Sequence, residues 1–400
     1  MKYFIRTNKK PPSPMANPAR IPFKKDRNTF FIICNYKYTG CYSQPREISF
    51  IIDHMKHKLL LLASITAIAL SACSLHGKKY EVEKYRAGEI AIEGDSFRIL
   101  QLTDIHLGDK DDQDLHYKFM NKVIESAEDP DLIVVTGDLF TFASRGTATR
   151  FFKFMDSRKK TDNKPIPWTV VFGNHDEQVY FDIEWMTSQL EKCKNCYFVD
   201  LENDDIQGNC NFYINLTKGG KLFERLIMID SERYEFSLKH AFGSYDYVKD
   251  EQIKWYESVV EQSKKETEDN SVAKSIMFYH IPLPEIDAAF EEGELLDLGD
   301  EFGVDKEKLK REKTCPPDFN SGLFAAIKEA NSTTDMLFGH DHLNMFVSKY
   351  EGVTFAYGVK STDRVYYAED MLGGQVATLK TDAQHSVEYK RIFHTYKEVK

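Results

Sequence analysis

Leu132-Ile133-Val134-Val135-Thr136-Gly137-Asp138 is the stretch from which the rest of the chain can be read. Four apolar residues in succession, three of them β-branched and none alternating with a polar one, describe a strand buried on both faces. The Gly-Asp pair ends that strand with a turn and a carboxylate. The same arrangement recurs on either side. Phe97 to Leu102 runs into Thr103-Asp104-Ile105-His106, and Trp168 to Phe172 runs into Gly173-Asn174-His175-Asp176. Ser275 to Tyr279 leads to His280, and Met336-Leu337-Phe338 leads to Gly339-His340-Asp341-His342. Helical spacing separates these runs at Tyr117 to Ala127, around Phe151 to Met155, and at Ile183 to Lys192, Gln252 to Lys264 and Leu323 to Ala330. Further strands are predicted at Phe212 to Leu216, Leu226 to Ile229 and Val353 to Tyr357, with a strand-rich tail from Gln375 to Phe393. The whole is an α/β pattern with a large strand content and no internal repeat.

Loops leaving the carboxyl ends of strands in such folds converge on one crevice, so the five polar clusters can meet. Asp104 and His106 are two residues apart, as are His340 and His342, and in extended backbone each pair points the same way. Carboxylates, an amide oxygen and several imidazoles together suit borderline divalent metals such as zinc, manganese or iron rather than calcium.

In order and spacing, Asp104-x-His106, Gly137-Asp138, Gly173-Asn174-His175-Asp176, His280 and Gly339-His340-x-His342 resemble the calcineurin-like metallophosphoesterase superfamily. The resemblance spans Phe97 to Tyr357, and Tyr279-His280-Ile281-Pro282 is most similar to the branch related to purple acid phosphatases. It implies an α/β β-sandwich flanked by helices, layered αββα. It further implies one metal at Asp104, His106, Asp138 and His342 and a second at Asp138, Asn174, His280 and His340, bridged by Asp138. His175 would protonate the leaving oxygen, and Asp176 would orient it. The sequence departs from the purple branch at Thr141, where those enzymes place a Tyr ligand three residues after the bridging Asp. That departure, with an imidazole at His106, favours an ordinary dinuclear site over a ferric one.

The chain has 400 residues, of which 42% are hydrophobic and 29% charged, ample for a large core. Its net charge of -10 is unevenly spread. Beyond Ala72 lie 41 of the 53 basic and 60 of the 63 acidic side chains, a balance of -19. So acidic a body repels polyphosphate backbones, and no nucleic-acid partner is expected. Two divalent ions held by Asp104 and Asp138 would leave about +2 at the site, enough to attract a phosphoryl group despite that field.

The start of the chain concerns destination. Met55-Lys56-His57-Lys58 and the apolar run Leu59 to Leu70 match a secretory signal, and Leu70-Ser71-Ala72-Cys73 resembles a lipobox. The expected division is a leader over 1–54 that is non-native or disordered, with translation starting at Met55. A lipoprotein signal follows over 55–72, then lipidated Cys73 with a linker over 73–95, and a catalytic domain over 96–400. This implies export to the bacterial cell envelope and a lipid anchor in the membrane. In an oxidising compartment Cys193, Cys196, Cys210 and Cys315 permit two disulfides in three connectivities, or remain as free thiols. Cys193-x-x-Cys196 has no second such pair to complete a zinc ribbon. The acidic stretch over 285–318 is long for a plain connection and is expected to be a lid.

The leading expectation is hydrolysis of a small phosphate ester by water activated between two metal ions, with His175 as general acid. A cyclic-nucleotide or other phosphodiesterase of the same superfamily is the alternative within enzymes. A non-catalytic surface lipoprotein that keeps the fold as a binding module is the alternative outside them.

Overall fold

The computed structural model describes residues 80–201, 206–235, 244–382 and 384–400. The signal-like segment, Cys73 and the leader lie outside the described residues. No helix among the described residues is long and apolar enough to cross a membrane.

The strands, in chain order, begin with β1 (Arg86–Ala91), β2 (Ser96–Leu102), β3 (Leu132–Thr136), β4 (Trp168–Val171) and β5 (Phe212–Lys218). They continue with β6 (Lys221–Met228), β7 (Tyr234–Glu235), β8 (Ser244–Tyr245), β9 (Lys274–Phe278) and β10 (Glu294–Leu295). The last are β11 (Thr333–Phe338), β12 (Val347–Tyr350), β13 (Val353–Tyr357), β14 (Gly373–Lys380) and β15 (Val387–Phe393). They form an eight-stranded sheet ordered β1-β5-β6-β9-β11-β13-β12-β10 and a five-stranded sheet ordered β15-β14-β2-β3-β4. β7 and β8 pair by themselves. The runs that bear polar clusters are parallel to their neighbours: β2 with β3, β3 with β4, and β9 with β11.

Two cores explain why the central strands of the larger sheet are apolar on successive residues. Ile276 and Phe278 of β9 join one core while Met277 between them joins the other, and Leu226, Ile227 and Met228 of β6 divide in the same way. The first core contains Phe119, Met120 and Val123 from the helix Gln113–Ser126 and Phe151 and Met155 from the helix Arg145–Asp156. The second takes Trp255 and Val259 from the helix Asp250–Ser263 and Leu323 and Ile327 from the helix Leu323–Ala330. Helices therefore cover the outer faces of both sheets, a helix–sheet–sheet–helix sandwich as expected. Helix starts follow local chemistry: the Asp112 carboxylate accepts from Leu115 N–H at 3.2 Å and that of Asp182 from Trp185 N–H at 2.8 Å.

One expectation changes and two open points are filled in. The linker expected over 73–95 contains β1, which pairs in parallel with β5 from Arg86 to Ala91. Its sequence, Arg86-Ala87-Gly88-Glu89-Ile90-Ala91, lies at a sheet edge with no fully buried residue, so it carries no apolar run to announce it. All four cysteines of the body are free thiols, and Cys210 is buried with its sulfur accepting from Phe172 N–H at 3.3 Å. The stretch 285–318 contains regular structure: a helix at Ile286–Glu291, β10 paired antiparallel with β12, and a short helix at Lys306–Leu309. It is tied to the body where Arg311 forms two parallel hydrogen bonds to Asp370, at 2.8 and 2.7 Å.

Candidate metal centre

Five strand ends from the two sheets bring the polar clusters together, but not by extended alternation. Asp104 has φ 54°, His106 φ 52°, Asp138 φ 52° and His340 φ 81°, all in the left-handed region. The parallel ladder still runs through them: Asp104 N–H donates to Gly137 O at 3.1 Å and His106 N–H to Asp138 O at 2.8 Å. Side-chain direction is thus set by kinks at the strand ends rather than by a two-residue period, and such strain clusters at functional sites. Two glycines permit the close approach. A Cβ on Gly173 would collide with Asp138 Oδ1 and His280 Cδ2, and one on Gly339 would collide with Thr103 Oγ1.

Ligand atoms of Asp104, His106, Asp138 and His342 all lie within 4.8 Å of one another, and all four residues are buried. His342 Nε2 is 3.4 Å from Asp104 Oδ1 and 3.0 Å from His106 Nε2. Asp138 Oδ2 is 3.4 Å from His106 Nε2 and 3.3 Å from His280 Nε2, while Asp138 Oδ1 accepts from His175 N–H at 2.8 Å. Asp138 is therefore shared between the two groups of ligands.

The partners behind the rings fix which nitrogen faces inward. His280 Nδ1 lies 2.8 Å from Thr136 O and His342 Nδ1 lies 2.9 Å from Tyr366 O. A carbonyl only accepts, so both Nδ1 atoms carry hydrogen and, in the neutral ring, both Nε2 atoms present lone pairs. His106 Nδ1 is held by Thr141 Oγ1 at 2.8 Å. The residue that stands where the purple branch has its Tyr thus supports an imidazole instead. Asn174 Nδ2 donates to Tyr234 Oη at 2.7 Å, which turns Asn174 Oδ1 toward the site.

Buried polar atoms are ordinarily hydrogen-bonded, yet Asn174 Oδ1, His280 Nε2 and His340 Nε2 have no hydrogen-bond partner. These three, with Asp138, are the ligand set that the family resemblance assigns to a second metal. The donor chemistry and the orphaned atoms both fit a pair of cations.

Electrostatics agree. Burial would raise the Asp138 carboxyl, but the His280 and His106 rings hold it well below the usual range. Burial also acts to lower His280, and the Asp138 carboxylate overcomes it, pushing that imidazole up to about 10. His340 is driven down to about 3 by burial and by the neighbouring charge on His280.

Asp176 does not orient His175. Its Oδ1 accepts from Leu139 N–H at 2.8 Å and Phe140 N–H at 3.2 Å, and its Oδ2 from Gly173 N–H at 2.7 Å. It stitches the loop after β3 to the loop after β4. Gln178 is the residue that meets His175, with Oε1 2.8 Å from Nδ1. The i, i+3 spacing of His175 and Gln178 was the only signal in the sequence.

Lys360 was not anticipated. It is buried, its Nζ donates to Asp104 O at 2.7 Å, and burial drives its pKa down to about 8 against the pull of Asp104 and Asp138. Ser361 Oγ accepts from Thr103 N–H at 3.0 Å, and Thr362 Oγ1 donates to Ile105 O at 2.6 Å. Lys360-Ser361-Thr362 thereby clamps the kinked backbone over 103–105. Gln252 acts further back, donating to Asp230 O at 2.7 Å beside Ser231, whose hydroxyl accepts from Ile281 N–H at 2.9 Å. Trp255 belongs to the second core, and Asn344 Oδ1 accepts from Glu312 N–H at 3.2 Å.

The model of the family described as calcineurin-like phosphoesterase matches residues 97–344, more than half of the chain and every cluster described above. The chain belongs to the calcineurin-like phosphoesterase family. It is 28% identical over 331 residues to a protein of Arabidopsis thaliana named probable inactive purple acid phosphatase 14, covering 74% of this chain and 77% of that one. It is 26% identical over 272 residues to phosphatase DCR2 of Saccharomyces cerevisiae, covering 62% of this chain and 44% of that one. Among solved structures it is similar to a dimetal phosphatase from Danio rerio, with a TM-score of 0.43 and 14% identity over 76% of this chain and all of that one.

A raised His280 pKa has a consequence for metal binding. Below about 10 the ring holds a proton that a cation at Nε2 must displace, so affinity rises with pH. Calorimetric titration with manganese between pH 6 and 8 should show about one proton released and affinity rising by up to about tenfold per pH unit. A pH-independent affinity would contradict the assignment of His280.

Proposed function

We propose that the protein hydrolyses phosphate esters, with one cation held by Asp104, His106, Asp138 and His342 and a second by Asp138, Asn174, His280 and His340. The observation that carries this reading lies beside the four-residue cluster: Asn174 Oδ1 and His340 Nε2 are buried without a hydrogen-bond partner, and His280 Nε2 faces Asp138 Oδ2 at 3.3 Å. When bound, two divalent ions would attract the phosphoryl group, lower the pKa of a nearby water and stabilise charge on the attacking and leaving oxygens. The sequence accepts zinc, manganese or iron at these positions.

The chain's own residues supply the rest. Asp138 anchors the backbone of His175 through Oδ1 while its Oδ2 faces the metal ligands. Gln178 holds His175 at Nδ1, which leaves Nε2 to carry the proton that the departing alkoxide needs. The word inactive belongs to the name of the Arabidopsis relative. In this chain every ligand of the family pattern is present, and so is the histidine beside Asn174.

His175→Ala should lower turnover of an alkyl phosphate by about 10²–10⁴-fold, and turnover of an aryl phosphate with an acidic leaving group by much less. Gln178→Ala should follow the same pattern at smaller size. Equal losses on both substrates would remove His175 from the acid role, and no hydrolysis with any metal would favour the binding module.

For location, we propose lipid anchoring at the cell envelope through Cys73, supported by the basic-apolar stretch Met55 to Leu70 and the small residues before Cys73. Mass spectrometry of the native protein should find a diacylated Cys73 at the mature N-terminus. An unmodified peptide running through Ala72 and Cys73 would overturn this.

A further inference from the structure

Seven large hydrophobic side chains stand exposed among the described residues, and six of them follow the loops that carry or hold the metal-site residues: Phe142, Tyr180, Phe319, Val365, Tyr366 and Tyr367. Phe142 comes directly after Thr141, the partner of His106, and its N–H donates to the carbonyl of Gln178, the partner of His175. Tyr180 N–H donates to Ala143 O, lacing the same two loops together. Tyr366 lies nearly parallel to the His342 ring, with centroids 4.1 Å apart, and Val365 and Tyr367 flank it. Phe319 packs on Tyr247 at 4.5 Å, two residues beyond Tyr245, whose ring meets His340 edge-on at 4.4 Å. Single exposed apolar residues are ordinary, but a group of them around one site marks a binding surface.

Backbone strain adds an independent observation. Phe142 has φ 52° and Val365 φ 66°, left-handed conformations that a bulky or β-branched residue rarely adopts. Strain of this kind persists where the surrounding structure imposes it, commonly at ligand sites. Four cations near these loops have acidic partners within the chain. Arg145 is paired with Asp182, Arg233 with Glu177, Lys249 with Asp246 and Arg364 with Asp111.

We propose that this rim receives the organic part of the substrate and selects a single phosphate group carried on an apolar body, hydrocarbon or aromatic. The position of the phosphate rests on the phosphoesterase reading above; the selectivity is a separate property of the rim. Full burial of one methylene is worth about fourfold in affinity, so contact on one side is worth about twofold.

Non-hydrolysable phosphonates test this by binding, without relying on turnover. Ethyl-, butyl- and octylphosphonate, with phenylphosphonate as the aromatic arm, would be titrated calorimetrically into the metal-loaded full chain. Affinity should rise by about twofold per methylene over the first few, and phenyl should exceed ethyl. Tighter binding of phenyl than octyl would assign an aromatic body, and the reverse a hydrocarbon. Joint replacement Phe142→Ser, Tyr180→Ser and Phe319→Ser, all at exposed positions, should flatten the series. Val304→Ser, at the seventh exposed hydrophobic, should leave it unchanged. A flat series in the native protein, or tighter binding of methylenebisphosphonate than of octylphosphonate, would overturn the inference. A flat series together with ester hydrolysis would overturn it while leaving the phosphoesterase reading intact. A graded series without hydrolysis would do the reverse.

Discussion

The Asp138 carboxylate is the constraint on which the site depends. One oxygen fixes the backbone of His175, and the other lies within 3.4 Å of imidazoles from two different sheets. A carboxylate buried this deeply is costly unless it is paired, and here it is paired on both sides. The rest of the architecture serves to deliver those partners. β3 must end at Asp138, β2 must place His106 beside it, and β9 must bring His280 across from the other sheet. Gly173 is needed because the next strand's turn passes against Asp138 Oδ1 without room for a Cβ.

Around that carboxylate, four of the candidate ligands are held from behind by a neighbouring polar group. Carbonyls of Thr136 and Tyr366 take the Nδ1 hydrogens of His280 and His342. Thr141 meets His106, and Tyr234 turns the amide of Asn174. Ligands oriented in this way lose little freedom when a cation binds, which is how outer partners raise metal affinity. Lys360 contributes differently: its ammonium bonds to the backbone of Asp104 and lies close enough to Asp104 and Asp138 to offset their charge.

Much of this was legible in the sequence because buried parallel strands write continuous apolar runs. β3, β9, β11 and β13 were marked by such runs, and the polar cluster after each of the first three located the crevice. β1 was illegible because an edge strand with half-exposed side chains needs no apolar pattern. Asp104 and His106 meet at the site through left-handed kinks rather than strand alternation, and such kinks at non-glycine positions leave no trace in composition. Asp176 was misassigned to His175 because adjacency in sequence says nothing about direction in a turn, where three backbone amides claim its oxygens. Lys360 lay outside any motif, more than 250 positions from the Asp104 carbonyl it holds.

The account's central claim is that Asp138 joins two cation sites. Anomalous diffraction from crystals grown with manganese would test it most directly. Two peaks should appear per chain, both in contact with Asp138, one beside His106 and His342 and the other beside Asn174, His280 and His340. A single peak at the first group, with water satisfying Asn174 Oδ1, His280 Nε2 and His340 Nε2, would contradict the account.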